Sequence, residues 1–554
     1  MKANRFSALF FAGIAAVLTA GAALACTPMG VGAKASTDGS VIVSHTCDGW
    51  YDHRIKIIPG GEHKDGEMVD IYNIMCYDTR PDRKPKKVGE IPQAKKTYTY
   101  FQVGYPFMND QQLMMGEFTW SGRSELESPA GLFYIENLEA LGLARAKTAR
   151  EAIKVMGELA EKYGYADGGE TLVIGDPKEL WVFEICGPGA IWNKESGTPG
   201  AHWAAKRVPD DEVFVGANRA RIDVIDFNDP ENYMYSTDIT KLAEQMGWWQ
   251  KGTPFHFADI FNPEPYGYAY YAARREWRAL NLIAPSQKFE VKEKWAHYPF
   301  SVKPDKKLSV RDIMLTVYSD HLEGTDYDLT KDAAAGPFGN PTRWQTPKSV
   351  RPEGLKDYDW ERPIALFRCS YSFVSQSRSW LPNPIGGLLW YGADSPDTTV
   401  YVPIYCGVLE VPEPWTKGER HVFDRDCAWW AFNLVNNWAC LRWDAMYKDI
   451  RAKKASYEDV FFANQPEVEK EALAYYEKNP AKAVAYLTEY TNKVMNEVEK
   501  GWWNFAFELI GKYQDGGVMT PEGKMTTPGY PADWLKKVGF GSMTARDLEA
   551  TSKK

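Results

Sequence analysis

From residue 26 the chain carries the two-residue rhythm and β-branched content of paired strands: CTPMGVGA, a turn signal at Thr37-Asp38-Gly39, then SVIVSHT. Asp-Gly between such segments is a strong short-range hairpin signal, so a β-hairpin is expected over about residues 26–58. Cys26 opens its first strand and Asp48 closes the strand that returns beside it. A two-residue turn with Thr37 opposite Ser40 sets Asp48 on the face opposite Cys26. Juxtaposing the two side chains therefore needs a bulge or a longer loop.

The period then changes. Thr148-Ala149-Arg150-Glu151 has the form of a capping box, and the amphipathic stretch AREAIKVMGELAEKYG after it ends at Gly164, which predicts a helix. ETLVIGD and LWVFEICG, parted by Asp176-Pro177, predict a strand pair, and EVFVGANRARI (212–222) reads as strand-like. Residues 228–362 are rich in Pro, Gly and aromatics, with a helical island at YGYAYYAARREWRALNLI (266–283). Strands are expected again at ALFRCSYSFV, GGLLWYGA and TTVYVPIYCGVLEV. After Asp424 the pattern is helical almost throughout, with Pro466 and Pro480 placed at helix starts. Strands, one long helix, more strands and a helical end predict an α+β fold and exclude a doubly wound sheet.

The segment before Cys26 adds a location. Lys2 and Arg5 precede an apolar run from Phe6 to about Ala23, and Ala23-Leu24-Ala25 fits the small-x-small rule for leader cleavage. Cleavage after Ala25 predicts an exported protein, secreted or periplasmic, with Cys26 as its first residue and no membrane association once the leader is gone. The chain has a net charge of −9, which becomes −11 without Lys2 and Arg5. An acidic chain with no basic run argues against nucleic acid as a partner. Aromatics make up 14% of the sequence, including 21 Trp, and core packing is their expected use.

None of the eight cysteines is spaced C-x-x-C, which disfavours a zinc knuckle or redox dithiol. No HExxH is present and the eight histidines are dispersed, so neither metal nor cofactor is expected. A cysteine that begins a chain carries thiol and α-amine on one residue, so the amine can serve as base for its own side chain. That arrangement suits acyl transfer at an amide through a thioester. A lipid-anchoring cysteine is the competing reading; here Ala23 and Leu24 invert the order such signals use.

C-T-x-x-x-V-G-x-x-A-S-x-D-G-S, from Cys26 to Ser40, resembles the mature start of the dipeptidase A and secernin family of N-terminal-nucleophile cysteine dipeptidases. Further matches follow in order: MGEFTWSGR (115–123), RAKTAREAIKVM (145–156), GETLVIGDPKELWVFEICG (169–187), VGANRARI (215–222), DHLEGTDYDLT (320–330), LFRCSYSFVSQSRSWLPNPIGGLLWYG (366–392), YVPIYCGV (401–408) and AWWAFNLVNNWA (428–439). The resemblance implies a four-layer αββα N-terminal-nucleophile hydrolase sandwich over residues 26–445, a helical C-terminal extension over 446–554, and hydrolysis of dipeptides without a metal. By motif position it makes Cys26 the nucleophile, Asp48 the holder of the terminal amine, Asn218 the oxyanion donor and Arg221 a nearby steadying charge. Glu117 and Glu170 are candidates to receive the free α-amino group of a dipeptide. An amide acylase of the bile-salt or penicillin type and a lipid-anchored binding protein remain alternatives, and the C-terminal helices are open to a capping role or to self-association.

The chain departs from the resemblance at one place. Where cytoplasmic members carry Arg-Asn-Glu-Asp, this sequence has His45-Thr46-Cys47-Asp48, so the flanking arginine is absent and Arg54 or His45 stands in for it. Cys47 is expected to be uncrosslinked to Cys26 in an active enzyme.

Overall fold

The computed structural model describes residues 26–77, 82–263, 271–291, 297–353 and 360–538. Residues 1–25, where a leader is expected, the start of the 266–283 island and the chain beyond 538 lie outside the described residues. The protein is mixed α/β, built on two large antiparallel sheets with a helical C-terminal region.

The seven-stranded sheet runs, in spatial order, Ser301–Val302, Val213–Val215, Met29–Val31, Val41–Asp48, Cys369–Ser377, Leu388–Ala393 and Val402–Tyr405. The eight-stranded sheet runs Tyr233–Tyr235, His202–Val208, Leu180–Cys186, Glu170–Gly175, Met114–Thr119, Pro106–Asn109, Tyr100–Gln102 and Lys56–Ile58. The sheets meet where Val41–Asp48 packs on Met114–Thr119 and Glu170–Gly175. Gly116 permits that approach, since a Cβ there would stand 3.2 Å from the Ser44 carbonyl oxygen and 3.3 Å from the His45 Cβ. Helices Ile135–Arg145 and Ala149–Tyr163 pack on the eight-stranded sheet, and Ala428–Ala439, Trp443–Lys478 and Pro480–Lys512 on the seven-stranded one.

The expected hairpin exists with a longer connection. Met29 pairs with Ser44 and Val31 with Ile42, so the loop runs from Gly32 to Ser40, with Gly39 at φ 88° and Asp38 Oδ1 accepting from the Ser40 N–H. Continued by three residues, that register sets Cys26 opposite Cys47. The register moves by an even number of residues from the ideal turn, so Asp48 stays on the face opposite Cys26 as the parity argument requires.

Thr148 caps Ala149–Tyr163 by accepting from the Glu151 N–H at 3.2 Å, and the helix closes on Gly164 at φ 88°. Glu170–Gly175 and Leu180–Cys186 pair antiparallel as expected. Two readings are corrected. The strand at Val213–Val215 stops before GANRARI, because Asn218 takes a left-handed φ of 53° that breaks the ladder. Pro466 lies inside the continuous helix Trp443–Lys478, whereas Pro480 does begin a helix, with Asn479 accepting from the Ala481 N–H. A proline inside a helix forfeits one backbone bond; burial of Phe461, Val468 and Ala472 on either side holds the turn in place.

The aromatic surplus is core. Trp120, Trp181, Trp390 and Trp502 are fully buried, and Trp390 stacks on Phe462 of the C-terminal helices with ring centroids 4.2 Å apart. Such pairs add about 0.5–1.5 kcal/mol beyond area burial. No helix among the described residues is long and apolar enough to cross a membrane.

Candidate active site

Cys26 is buried at the junction of the two sheets, and its thiol donates to Glu117 Oε1 at 2.8 Å. His45 Nε2 lies 3.0 Å from the same oxygen. Alternation along Val41–Asp48 places His45 and Cys47 on the side of Val41 and Val43, whose side chains pack under Gly175 of the eight-stranded sheet. Cys26, His45, Cys47 and Glu117 therefore converge, each with a ligand-capable atom within 4.8 Å of the others. Burial, the Cys47 thiol and the Glu117 carboxylate push the Cys26 thiol well above the ordinary cysteine range. Burial also raises Cys47.

The carboxylates on this side have unpaired oxygens. Glu117 Oε2, Glu170 Oε2 and both oxygens of Glu139 are buried without hydrogen-bond partners, as is His45 Nδ1. Among the described residues no lysine or arginine forms an ion pair with Glu117, Glu139 or Glu170. Glu117 and Glu170 lie on adjacent strands, where Glu117 pairs with Leu172 and Thr119 with Glu170. Burial, reinforced by the Glu117 charge, holds the Glu170 carboxyl well above its usual range; burial and the same charge do so for Glu139.

On the other face, the Thr27 N–H donates to Thr46 Oγ1 at 3.1 Å, and that hydroxyl donates to Asp48 Oδ2 at 3.2 Å. Arg362 Nη2 donates to Asp48 Oδ2 at 2.6 Å, with both side chains wholly buried. Asp48 Oδ1 is buried without a partner. Asp48 thus stands beside the backbone of residues 26 and 27, on the side away from the thiol.

Asn218 reaches Cys26 through an arginine. Arg275 Nη1 donates to the Cys26 carbonyl at 2.9 Å and Thr27 Oγ1 at 2.8 Å, while Nη2 donates to Asn218 Oδ1 at 2.6 Å. Asn218 Nδ2 donates to the Thr119 carbonyl at 2.7 Å. This fork fixes which end of the Asn218 amide presents N–H groups. Arg221 stands apart. It pairs with Glu276 at 3.1 Å, donates to the Val215 and Pro299 carbonyls, and its backbone N–H reaches Glu184 Oε1 at 2.5 Å. These contacts brace the turn that carries Asn218. Of the two stand-ins for the missing family arginine, Arg54 is engaged by Asp52 at 2.7 Å through two nitrogens, and His45 lies beside Cys26.

Sequence reasoning missed Arg275 and Arg362. Arg275 sits in the amphipathic helix Ala273–Ile283, where an arginine reads as solvated, yet it is 1% exposed. Arg362 lies in an irregular stretch and carries no local signal.

Residues 25–456 match the model of Peptidase family C69. The chain is 25% identical over 503 residues to a "Probable dipeptidase" of Latilactobacillus sakei, covering 88% of this chain and 95% of that protein. It is 24% identical over 506 residues to "Dipeptidase A" of Lactobacillus helveticus, with 89% and 96% covered. A "Probable dipeptidase" of Salmonella dublin is 26% identical over 419 residues, covering 73% of this chain and 86% of that protein. With a thiol held on a buried carboxylate and a family match across most of its length, the chain belongs to peptidase family C69 and is a peptidase.

Proposed function

We propose that the protein is an exported dipeptidase, secreted or periplasmic, in which removal of the leader makes Cys26 the first residue and the nucleophile of a four-layer αββα N-terminal-nucleophile hydrolase. The observation that carries this reading is the convergence of the Cys26 thiol with buried carboxylates that no lysine or arginine among the described residues neutralises. A buried carboxyl oxygen left without a hydrogen bond is costly, and a cation brought by the ligand would both supply that bond and favour the ionised form. The α-ammonium of a dipeptide is that cation, and Glu117 and Glu170 receive it.

The Cys26 α-amine takes the thiol proton, and Asp48 Oδ1, held by the Arg362 ion pair on its sister oxygen, orients that amine. The thiolate attacks the amide carbonyl, Asn218 Nδ2 donates to the developing oxyanion, and the amine returns the proton to the leaving group. Water then hydrolyses the thioester. A donor aimed at the oxyanion contributes about 2.7–4 kcal/mol in comparable sites. Because burial raises the thiol, the nucleophile is inactive until the amine is free, which ties activity to leader removal.

The test is intact-mass measurement of the active protein combined with hydrolysis of matched free and N-acetylated dipeptides. A mass beginning at an unmodified Cys26, with the free dipeptide cleaved and the acetylated one resistant, is the expected result. Equal cleavage of both would replace the dipeptidase reading with an amide acylase, and an acylated Cys26 would remove the mechanism.

A further inference from the structure

The same pocket holds more ligating chemistry than hydrolysis uses. Cys47 is opposite Cys26 in the extended register, and hydrolysis gives it no task. Yet the two sulfurs, a His45 nitrogen and a Glu117 oxygen all lie within 4.8 Å of one another, on residues no more than 1% exposed. Two thiolates, one imidazole and one carboxylate form a four-coordinate set, and zinc in such a set has its ligand atoms roughly 3.3–3.8 Å apart. Reaching that geometry takes shifts of about 1.5 Å or less, the longest separations closing while the 2.8 and 3.0 Å contacts of Glu117 with Cys26 and His45 open slightly. Glu117 Oε2 and His45 Nδ1 are both without partners, so the carboxylate can turn and the ring can adjust without breaking an existing bond at those atoms.

We propose that Cys26, His45, Cys47 and Glu117 form a binding site for a soft divalent cation of the zinc class, and that its occupancy silences the enzyme. The donors decide the class: sulfur ligands select zinc-like ions over calcium or magnesium. The coordination number decides the effect. Four protein ligands leave no open position for water or substrate, which is the pattern of a closed site and not of a catalytic one. Moreover one ligand is the nucleophile.

The step balances. Two S–H bonds break and their protons leave to solvent, two metal–sulfur bonds form, His45 coordinates through a ring nitrogen, and the Glu117 carboxylate exchanges its hydrogen bonds for a metal bond. A dication enters as two protons leave, so entry of the ion adds no net charge to a buried site. The binding itself does not rest on the dipeptidase reading; only the loss of hydrolysis does.

The experiment titrates the mature, reduced protein with Co2+ under anaerobic conditions, then displaces it with Zn2+. One Co2+ per chain with thiolate-to-metal charge-transfer absorbance, bleached by Zn2+, is expected. Cys47→Ser, with Cys47→Ala as a second variant, should hydrolyse dipeptides at a comparable rate while its zinc affinity and zinc sensitivity both fall at least about 10-fold. No charge-transfer band in the wild-type protein, or unchanged affinity in both Cys47 variants, overturns the proposal. Should the band appear in a protein that cleaves no dipeptide, the cation site stands and the dipeptidase reading fails.

Discussion

The two faces of the Val41–Asp48 strand carry polar groups in alternation and treat them in opposite ways. On the outer face Ser44 accepts from the Tyr318 hydroxyl at 2.7 Å, Thr46 bridges Thr27 to Asp48, and Arg362 neutralises Asp48. On the inner face His45 and Cys47 meet Cys26 and Glu117, two thiols are pushed up by burial, and among the described residues the neighbouring carboxylates have no lysine or arginine partner. Satisfied groups fix geometry. Unsatisfied ones keep a place for something that arrives. The strand thus separates positioning from chemistry by one residue of register.

The largest expected effect breaks the inner face alone. Cys26→Ala should lower dipeptide hydrolysis by about 10^4-fold or more while leaving the thermal unfolding transition almost unmoved, because only one sulfur of the core is removed. Substantial activity in the alanine variant would assign the chemistry elsewhere. The matching break on the outer face is Arg362→Leu, which strands a buried Asp48 charge at a cost of about 3–5 kcal/mol. Unfolding midpoints should order wild type above Arg362→Leu, with the Arg362→Leu/Asp48→Asn double variant recovering part of the loss. If the double variant is no more stable than the single one, the arginine contributes packing and not charge pairing.

How much of this was legible follows the same division. Local signals gave the hairpin, the Thr148 cap, the Gly164 stop and the Glu170–Cys186 strand pair, because each is encoded within a few residues of the place it acts. Cys26 was singled out by its position after a leader-like run, and Glu117 and Glu170 by the motif blocks that contain them. Arg275 and Arg362 were not, since their partners lie 57 to 314 residues away in the chain and their burial is decided by topology. The convergence of Cys47 on Cys26 needed the true loop length, which Asp38-Gly39 suggested to be shorter than it is. Arg221 was placed at the site by motif, and the fold instead gives it to Glu276 behind the Asn218 turn.

Arg275 joins the two faces, touching the Cys26 carbonyl and the Asn218 amide. Replacing it with Met should cost about 10^2-fold in kcat with little change in KM, since it orients the oxyanion donor without meeting the substrate. Arg275→Lys should recover only part, because an ammonium cannot reproduce the fork. A rise in KM with kcat intact would place this guanidinium on the substrate.

The smallest effect sharpens the inner face by charge. Glu170 has its carboxyl raised above the model-compound value of 4.5 by burial and then by the Glu117 charge, so it keeps its proton in the empty site to well above that pH. A dipeptide ammonium favours the ionised form, so wild-type KM should fall as pH rises above 4.5, measured below the α-amino range. Glu170→Gln should abolish that slope and leave KM about 10-fold higher at the upper end, the scale of one hydrogen bond to a charged group. Stability runs the other way. A carboxyl with a raised folded value contributes stability fully present below the unfolded value of 4.5 and lost as pH rises through the folded one, so the glutamine variant should show a flatter decline of Tm with pH. Retention of both slopes in Glu170→Gln would move amine recognition to Glu117 or Glu139, still on the same inner face.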